Sequence, residues 1–129
     1  MNNTSANDNF NTLKDIFKKE TCSDWKAFWH TLSNFLDDFK QNPNSDILKH
    51  PPYSIDEKTD AFVAATVEQL AIMHNLQIPK WVYHKRYFLK EPFFPSGLKG
   101  DYRFFALKES PLAFSARQIF ITKNALDRV

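Results

Sequence analysis

The feature that most constrains this chain is a stretch that is apolar nearly all round at helical spacing, residues 61–73. Ser54 and Glu57 precede it with the Ser-x-x-Glu spacing of a capping box, and Asn75 follows as a residue that tolerates a left-handed helix stop. A helix with apolar residues on almost every face is buried inside a protein. We therefore predict a central helix over residues 54–75. Its narrow polar strip comprises Thr66, Glu68, Gln69 and His74.

Two amphipathic helices are predicted before it, within residues 10–41. The first ends near Glu20, and Thr21 and Ser23 offer caps for the second. The second helix, over residues 24–41, has a heavily aromatic face at i, i+3, i+4 spacing: Trp25, Phe28, Trp29, Leu32, Phe35, Leu36 and Phe39. Such a stripe is more typical of a core or a subunit interface than of a cofactor site, and the pattern leaves core and interface both open.

Short helices and a long loop are predicted over residues 79–129. Pro79 opens a short helix to about Lys85, and an aromatic, proline-punctuated loop over residues 87–98 needs cover from the rest of the protein. Two further helix starts are predicted downstream, at Asp101 and at Ser110-Pro111, and Thr122 is predicted to introduce a last turn through Arg128.

Residues 119–121 have the composition of one short strand, which does not make a sheet. The predicted fold class is therefore all-α. We expect a single-domain irregular helical bundle over residues 10–129, with the aromatic and proline-rich loop packed on it, behind a disordered tail at residues 1–9.

Charge is unevenly divided along the 129 residues, although the net charge is only +2. Through Asp60 the chain carries 7 Lys and Arg against 10 Asp and Glu, whereas the rest carries 10 against 5. The second half is therefore the better candidate surface for an acidic partner, protein or nucleic acid. Ordinary solvation of surface lysines is the alternative that this pattern leaves open.

The composition predicts a cytoplasmic protein that does not associate with membranes. No apolar run approaches the about 20 residues that span a bilayer, and the polar start lacks the apolar stretch of a secretory signal. The single cysteine, Cys22, cannot form an intramolecular disulfide.

Signatures of catalysis and of metal binding are missing. The four histidines show no i, i+4 pair, and no Gly-x-Ser-x-Gly elbow occurs. Only Gly97 and Gly100 are available for phosphate-cradling turns. We therefore predict no catalytic residue, no metal and no cofactor. An enzymatic function would require a polar pocket that the sequence does not reveal.

Residues 80–90 interleave aromatic rings with four basic side chains and one histidine. This mixture is used for single-stranded nucleic acid, in which bases stack on rings and cations follow phosphates. It is equally typical of rings in a core with cations kept in water. Arg117 is expected either to pair with a carboxylate such as Glu109, the favoured interpretation, or to present its planar fork to an acidic partner. The candidate partner-binding residues are Trp81, Lys85, Arg86, Lys99, Arg103 and Arg117.

Over residues 55–129 the chain resembles a small uncharacterised bacterial family. The matching positions are 64–68, Pro79, Trp81, Val82, Tyr87, Leu89, Pro92, Phe94, Pro95, 97–100, Arg103, 109–111, Phe114, Arg117, 119–121, Leu126, Arg128 and Val129. Similar modules form the downstream half of proteins that sometimes begin with a helix-turn-helix domain. They occur beside nucleotidyltransferase-like proteins, as in toxin–antitoxin pairs. The resemblance implies no catalytic residues, and this chain has acidic aromatic helices where such proteins have a DNA-binding half.

These observations favour a non-catalytic cytoplasmic interaction module. It would be an antitoxin-like or regulatory partner that holds another protein through a basic, aromatic C-terminal surface. The partner that the resemblance implies is a nucleotidyltransferase-like protein, and a homo-oligomer is also open. The alternative function is binding of single-stranded nucleic acid.

Overall fold

The computed structural model describes residues 12–95 and 109–122. Within them lie four α-helices: α1 (Leu13–Ile16), α2 (Trp25–Gln41), α3 (Glu57–Met73) and α4 (Leu112–Ser115). Three 3-10 helices accompany them: Ser45–Leu48, Lys80–Tyr83 and Lys85–Tyr87. The predicted all-α class is confirmed, and the chain forms two compact units, Met1–Ile55 and Asp56–Val129. None of the helices in the described ranges is both long enough and apolar enough to cross a bilayer.

The first unit begins with α1, which is shorter than predicted. Thr12 and Asp15 form a reciprocal capping box at its start. The helix ends at Ile16 rather than near Glu20, because the Thr21 hydroxyl donates to the Ile16 carbonyl at 2.6 Å and so takes the acceptor of the next helical turn.

Helix α2 confirms the predicted aromatic stripe. Its buried residues are Phe28, Leu32, Phe35, Leu36 and Phe39. Asp24 caps the helix by accepting the Ala27 amide at 2.7 Å, so the prediction of Thr21 or Ser23 as the cap was wrong. A carboxylate at this position also complements the helix dipole. The ring of Phe17 packs edge-on against Phe35, with the ring centres 5.5 Å apart.

The second unit is built on α3, which is apolar nearly all round as predicted and buries eleven of its residues. Asp56, not Ser54, is its N-cap and accepts the Thr59 amide at 2.8 Å. The predicted left-handed stop is confirmed at Asn75, whose φ is 56°. Beyond it the Leu76 amide donates to the Ala71 carbonyl at 2.8 Å, which satisfies a carbonyl of the last helical turn.

The single short helix predicted after Pro79 is instead the pair of 3-10 helices, both of which contact α3. The described part of the aromatic loop is fastened to the chain that follows α4. The Phe93 amide donates to the Gln118 carbonyl at 2.7 Å, and Phe93 forms an isolated parallel bridge with Ile119. This bridge lies in the predicted short strand, and Leu89 and Pro95 are buried.

Helix α4 begins after Pro111, as predicted, but the Ser110 hydroxyl does not cap it. That hydroxyl donates to the Ile121 carbonyl and accepts the Ile121 amide, at 2.9 and 2.8 Å. Gln118 ends the turn in the left-handed region, with φ 66°, and the Ile119 amide donates to the Phe114 carbonyl.

The predictions for the tail at residues 1–9, for the helix start at Asp101, for residues 96–98 of the loop and for the turn through Arg128 lie outside the described residues.

We predict that Phe62→Ala lowers the free energy of unfolding by about 3–5 kcal/mol, because Phe62 is fully buried and its ring packs edge-on against Phe114 at 5.1 Å. Urea denaturation followed by circular dichroism measures this loss. Leu112→Ala is the control, since Leu112 is 79% exposed and its truncation should change stability by about 0.5 kcal/mol or less. Equal losses for the two variants would contradict this core.

Candidate interaction surface and its buried arginine

Arg117 is fully buried, directly after α4 in the second unit. The next residue, Gln118, is left-handed, and the Arg117 carbonyl accepts the Leu89 amide at 3.3 Å. The Arg117 side chain reaches α3, where it meets Glu68. A buried guanidinium is stable only where acceptors surround it, because its charge cannot be neutralised at ordinary pH.

Three oxygens from three segments meet the guanidinium. Nη1 donates to Glu68 Oε1 and to the Ala113 carbonyl, both at 2.6 Å, and Nη2 donates to the Val82 carbonyl at 2.7 Å. The group also lies over the ring of Phe88, 4.5 Å from its centre. Short, charge-assisted bonds in a planar fork are the geometry for which arginine, unlike lysine, is suited.

The remaining nitrogen, Nε of Arg117, is buried and has no hydrogen-bond partner within the described part of the chain. Nη2 is the nitrogen that holds the Val82 carbonyl, which lies within the 3-10 helix Lys80–Tyr83.

Glu68 links the buried Arg117 to the exposed Tyr83. Its Oε2 accepts the Tyr83 hydroxyl at 2.7 Å, while its Oε1 pairs with Arg117. The hydrogen bond to Glu68 raises the pKa of the Tyr83 phenol above its ordinary value, burial and the Glu68 charge act in the same direction, and the Arg117 charge opposes them. Burial likewise raises the pKa of Tyr87.

A second ion pair, between Arg86 and Asp60, is looser. Its Nη2 to Oδ2 distance is 3.4 Å, and the Arg86 side chain is 48% exposed whereas that of Asp60 is 8% exposed. The guanidinium also lies 5.1 Å from the centre of the Tyr87 ring. Arg86 is therefore partly engaged within the chain and partly presented to solvent.

Exposed side chains are interspersed with buried ones over residues 80–90, and His84 is among the exposed. We call five of the exposed residues the basic strip: Lys80, Tyr83, Lys85, Arg86 and Lys90. The structure brings three of the candidate residues, Trp81, Lys85 and Arg86, onto its two consecutive 3-10 helices. Trp81 is half-buried and packs edge-on against the buried Tyr87 ring at 5.5 Å. Lys99 and Arg103 lie outside the described residues.

Arg117 requires a correction, because a fully buried guanidinium is not a surface contact for a partner. The favoured salt bridge is present, but its carboxylate is Glu68 rather than Glu109. The reason is geometric: Glu68 is a carboxylate on the largely buried helix α3, where it reaches both Arg117 and Tyr83.

Sequence reasoning missed the role of Glu68, although a signal for it existed. It is the only charged residue between positions 61 and 73, and a lone carboxylate on a largely buried helix calls for a cationic partner. In residues 12–95 and 109–122, no three His, Cys, Asp or Glu side chains gather closely enough to hold a metal ion.

Comparison with known proteins adds no relative: no family model, no curated protein and no solved structure matches this chain.

We predict that Glu68→Gln destabilises the protein by about 3–5 kcal/mol, because it leaves the Arg117 charge buried without a carboxylate. The double variant Glu68→Leu with Arg117→Met should recover most of this loss, since it removes both charges at once. Urea denaturation of the variants measures the difference. A double variant no more stable than the single one would show that the buried charge is not the cause.

The pKa values of Tyr83 and Tyr87 should both lie above the ordinary value of about 10. The two phenols should therefore contribute fully to the free energy of unfolding below pH 10. This contribution should be lost as the pH rises through their folded-state pKa values, because the phenols ionise at lower pH in the unfolded chain than in the folded one. NMR titration of ring-labelled tyrosine measures each pKa, and Glu68→Gln should lower that of Tyr83 alone. A Tyr83 pKa that Glu68→Gln leaves unchanged would contradict the assigned cause.

Proposed function

We propose that this chain is a non-catalytic cytoplasmic interaction module, an antitoxin-like or regulatory partner that binds an acidic face of another protein through the basic strip. The observation that carries the proposal is the bond from buried Arg117 to the Val82 carbonyl. It fixes the backbone from which the exposed cations project.

Buried side chains anchor the two 3-10 helices that carry most of the basic strip. The side chain of Val82 is fully buried and that of Tyr87 is 5% exposed, so both 3-10 helices are anchored by packing as well as by Arg117. Lys80 and Lys85 are exposed, and neither forms a salt bridge with any residue in the described ranges. Cations on a fixed backbone lose less conformational freedom on binding than cations on a loop that must first become ordered.

The arrangement of the rings favours a protein partner over single-stranded nucleic acid. Stacking of bases requires exposed ring faces beside the cations. Tyr87 is buried, Trp81 packs against it, and Tyr83 is half-exposed with its hydroxyl bonded to Glu68. Tryptophan, tyrosine and arginine are instead the residue types enriched at the energetic centres of protein interfaces, and Trp81, Tyr83 and Arg86 lie together in this segment.

The nucleotidyltransferase-like partner implied by the resemblance stays a prediction. The chemistry of the basic strip specifies only that the partner offers carboxylates spaced to meet several cations. Such opposite charges also make association faster at low salt.

Co-purification of the tagged full-length chain from its native host tests the proposal. We expect the double charge reversal Lys80→Glu with Lys85→Glu to abolish recovery of a partner protein, because like charges then oppose at the interface. The matched control is Lys19→Glu with Lys26→Glu. It changes the net charge by the same amount, at exposed positions of the first unit, and should retain the partner.

Two results would contradict the proposal. One is a partner that both double variants retain equally. The other is recovered material that disappears on nuclease treatment, which would identify the alternative, nucleic-acid binding. Circular dichroism of each variant establishes that its fold is intact.

A further inference from the structure

The first unit contains a half-open groove at the C-terminal end of α2, with a cavity volume of about 630 Å³. This lies within the range of roughly 300–1,000 Å³ that is typical of sites for small ligands or anchoring side chains. None of the residues of the basic strip lines it, so the groove is independent of the surface proposed above.

The floor of the groove is apolar and built on packed rings. Phe35 and Phe39 lie beneath it, 5.8 Å apart between ring centres, and both are almost fully buried. Ile16 and Ile47 are half-buried and present the accessible apolar surface. A partner side chain of leucine size would therefore contact isoleucine methyl groups over a floor that is already packed.

The rim is negative. Asp38 and Asp46 both line the groove and are exposed, and no lysine or arginine is among the residues that line it. Lys49 lies 4.0 Å from Asp46, but both side chains are largely exposed, so this pair contributes little and leaves Asp46 able to accept another cation.

The C-terminal end of α2 adds to the negative electrostatic potential of the groove. Asp38 lies in the last turn of the 17-residue α2, where the unsatisfied backbone carbonyls already carry partial negative charge. Lys40 is the basic residue of the same turn, but it is not among the residues that line the groove. Gln41 and Asn42, which line the same end of the groove, offer further carbonyl oxygens as acceptors.

From this combination we infer that the groove binds a short segment of a partner protein in which a leucine-sized side chain stands between lysines or arginines. The apolar side chain contacts Ile16 and Ile47, and the flanking cations meet Asp38 and Asp46. The complementary charge on the rim is what distinguishes this occupant from a purely apolar one.

The test uses the full-length chain with labelled isoleucine methyl groups, observed by NMR. The probe is the synthetic peptide Gly-Lys-Leu-Lys-Gly, and the controls are Gly-Lys-Gly-Lys-Gly and Gly-Ser-Leu-Ser-Gly. We expect the probe to shift the signals of Ile16 and Ile47 saturably and to leave those of Ile119 and Ile121 in place. Asp38→Asn should weaken binding about three- to fivefold, as for an exposed ion pair, whereas Glu20→Gln, an exposed position outside the groove, should not.

Three results would overturn the inference. Equal binding of either control peptide would show that the groove does not require both the cation and the apolar side chain. An absence of shifts at Ile16 and Ile47 would show that it does not bind such a segment at all. If Phe10→Ser alone shifts these two signals without peptide, the chain's own first residues are the occupant.

Discussion

The buried ion pair between Arg117 and Glu68 is the interaction on which the second unit depends. Removing two charges from water costs several kcal/mol for each ion, and this cost is offset only where every polar atom finds a partner. Here two guanidinium nitrogens meet a carboxylate and two carbonyls at 2.6–2.7 Å, while the third has no partner in the described residues. Apolar side chains of similar volume at positions 68 and 117 would stabilise the fold about equally. The ion pair is therefore better explained by the positions in which it holds the neighbouring segments.

Those positions connect the core to the surface. Glu68 belongs to α3, Ala113 to α4 and Val82 to the 3-10 helix from which the basic strip projects. One side chain therefore fixes three segments that are far apart in sequence, and Tyr83 extends the network to solvent through the other oxygen of Glu68. The result is a set of exposed lysines on a backbone that is anchored from within, which is the arrangement that lowers the entropic cost of binding.

Much of the fold followed from local patterns, whereas the centre of the candidate site did not. The apolar periodicity predicted α2 and α3, and the preference of Asn75 for left-handed backbone predicted the helix stop, because both signals arise within a few residues. The caps at Asp24 and Asp56 were misassigned, since neighbouring serine, threonine and aspartate side chains compete for the same amides. The partner of Arg117 lies 49 positions away, so the pairing itself could not be read from local pattern. The isolation of Glu68 on an apolar helix indicated only that this carboxylate needs a cation, not which one.

Amide hydrogen exchange in the double variant Glu68→Leu with Arg117→Met tests most directly whether the buried pair positions the strip. The amides of His84, Tyr87 and Phe88 close the two 3-10 helices and report on their order. If the pair holds the strip, their exchange should become at least about tenfold faster while the amides of α3 keep their protection. Unchanged protection at those three amides in a folded double variant would show that packing alone places the strip and that Arg117 is not its anchor.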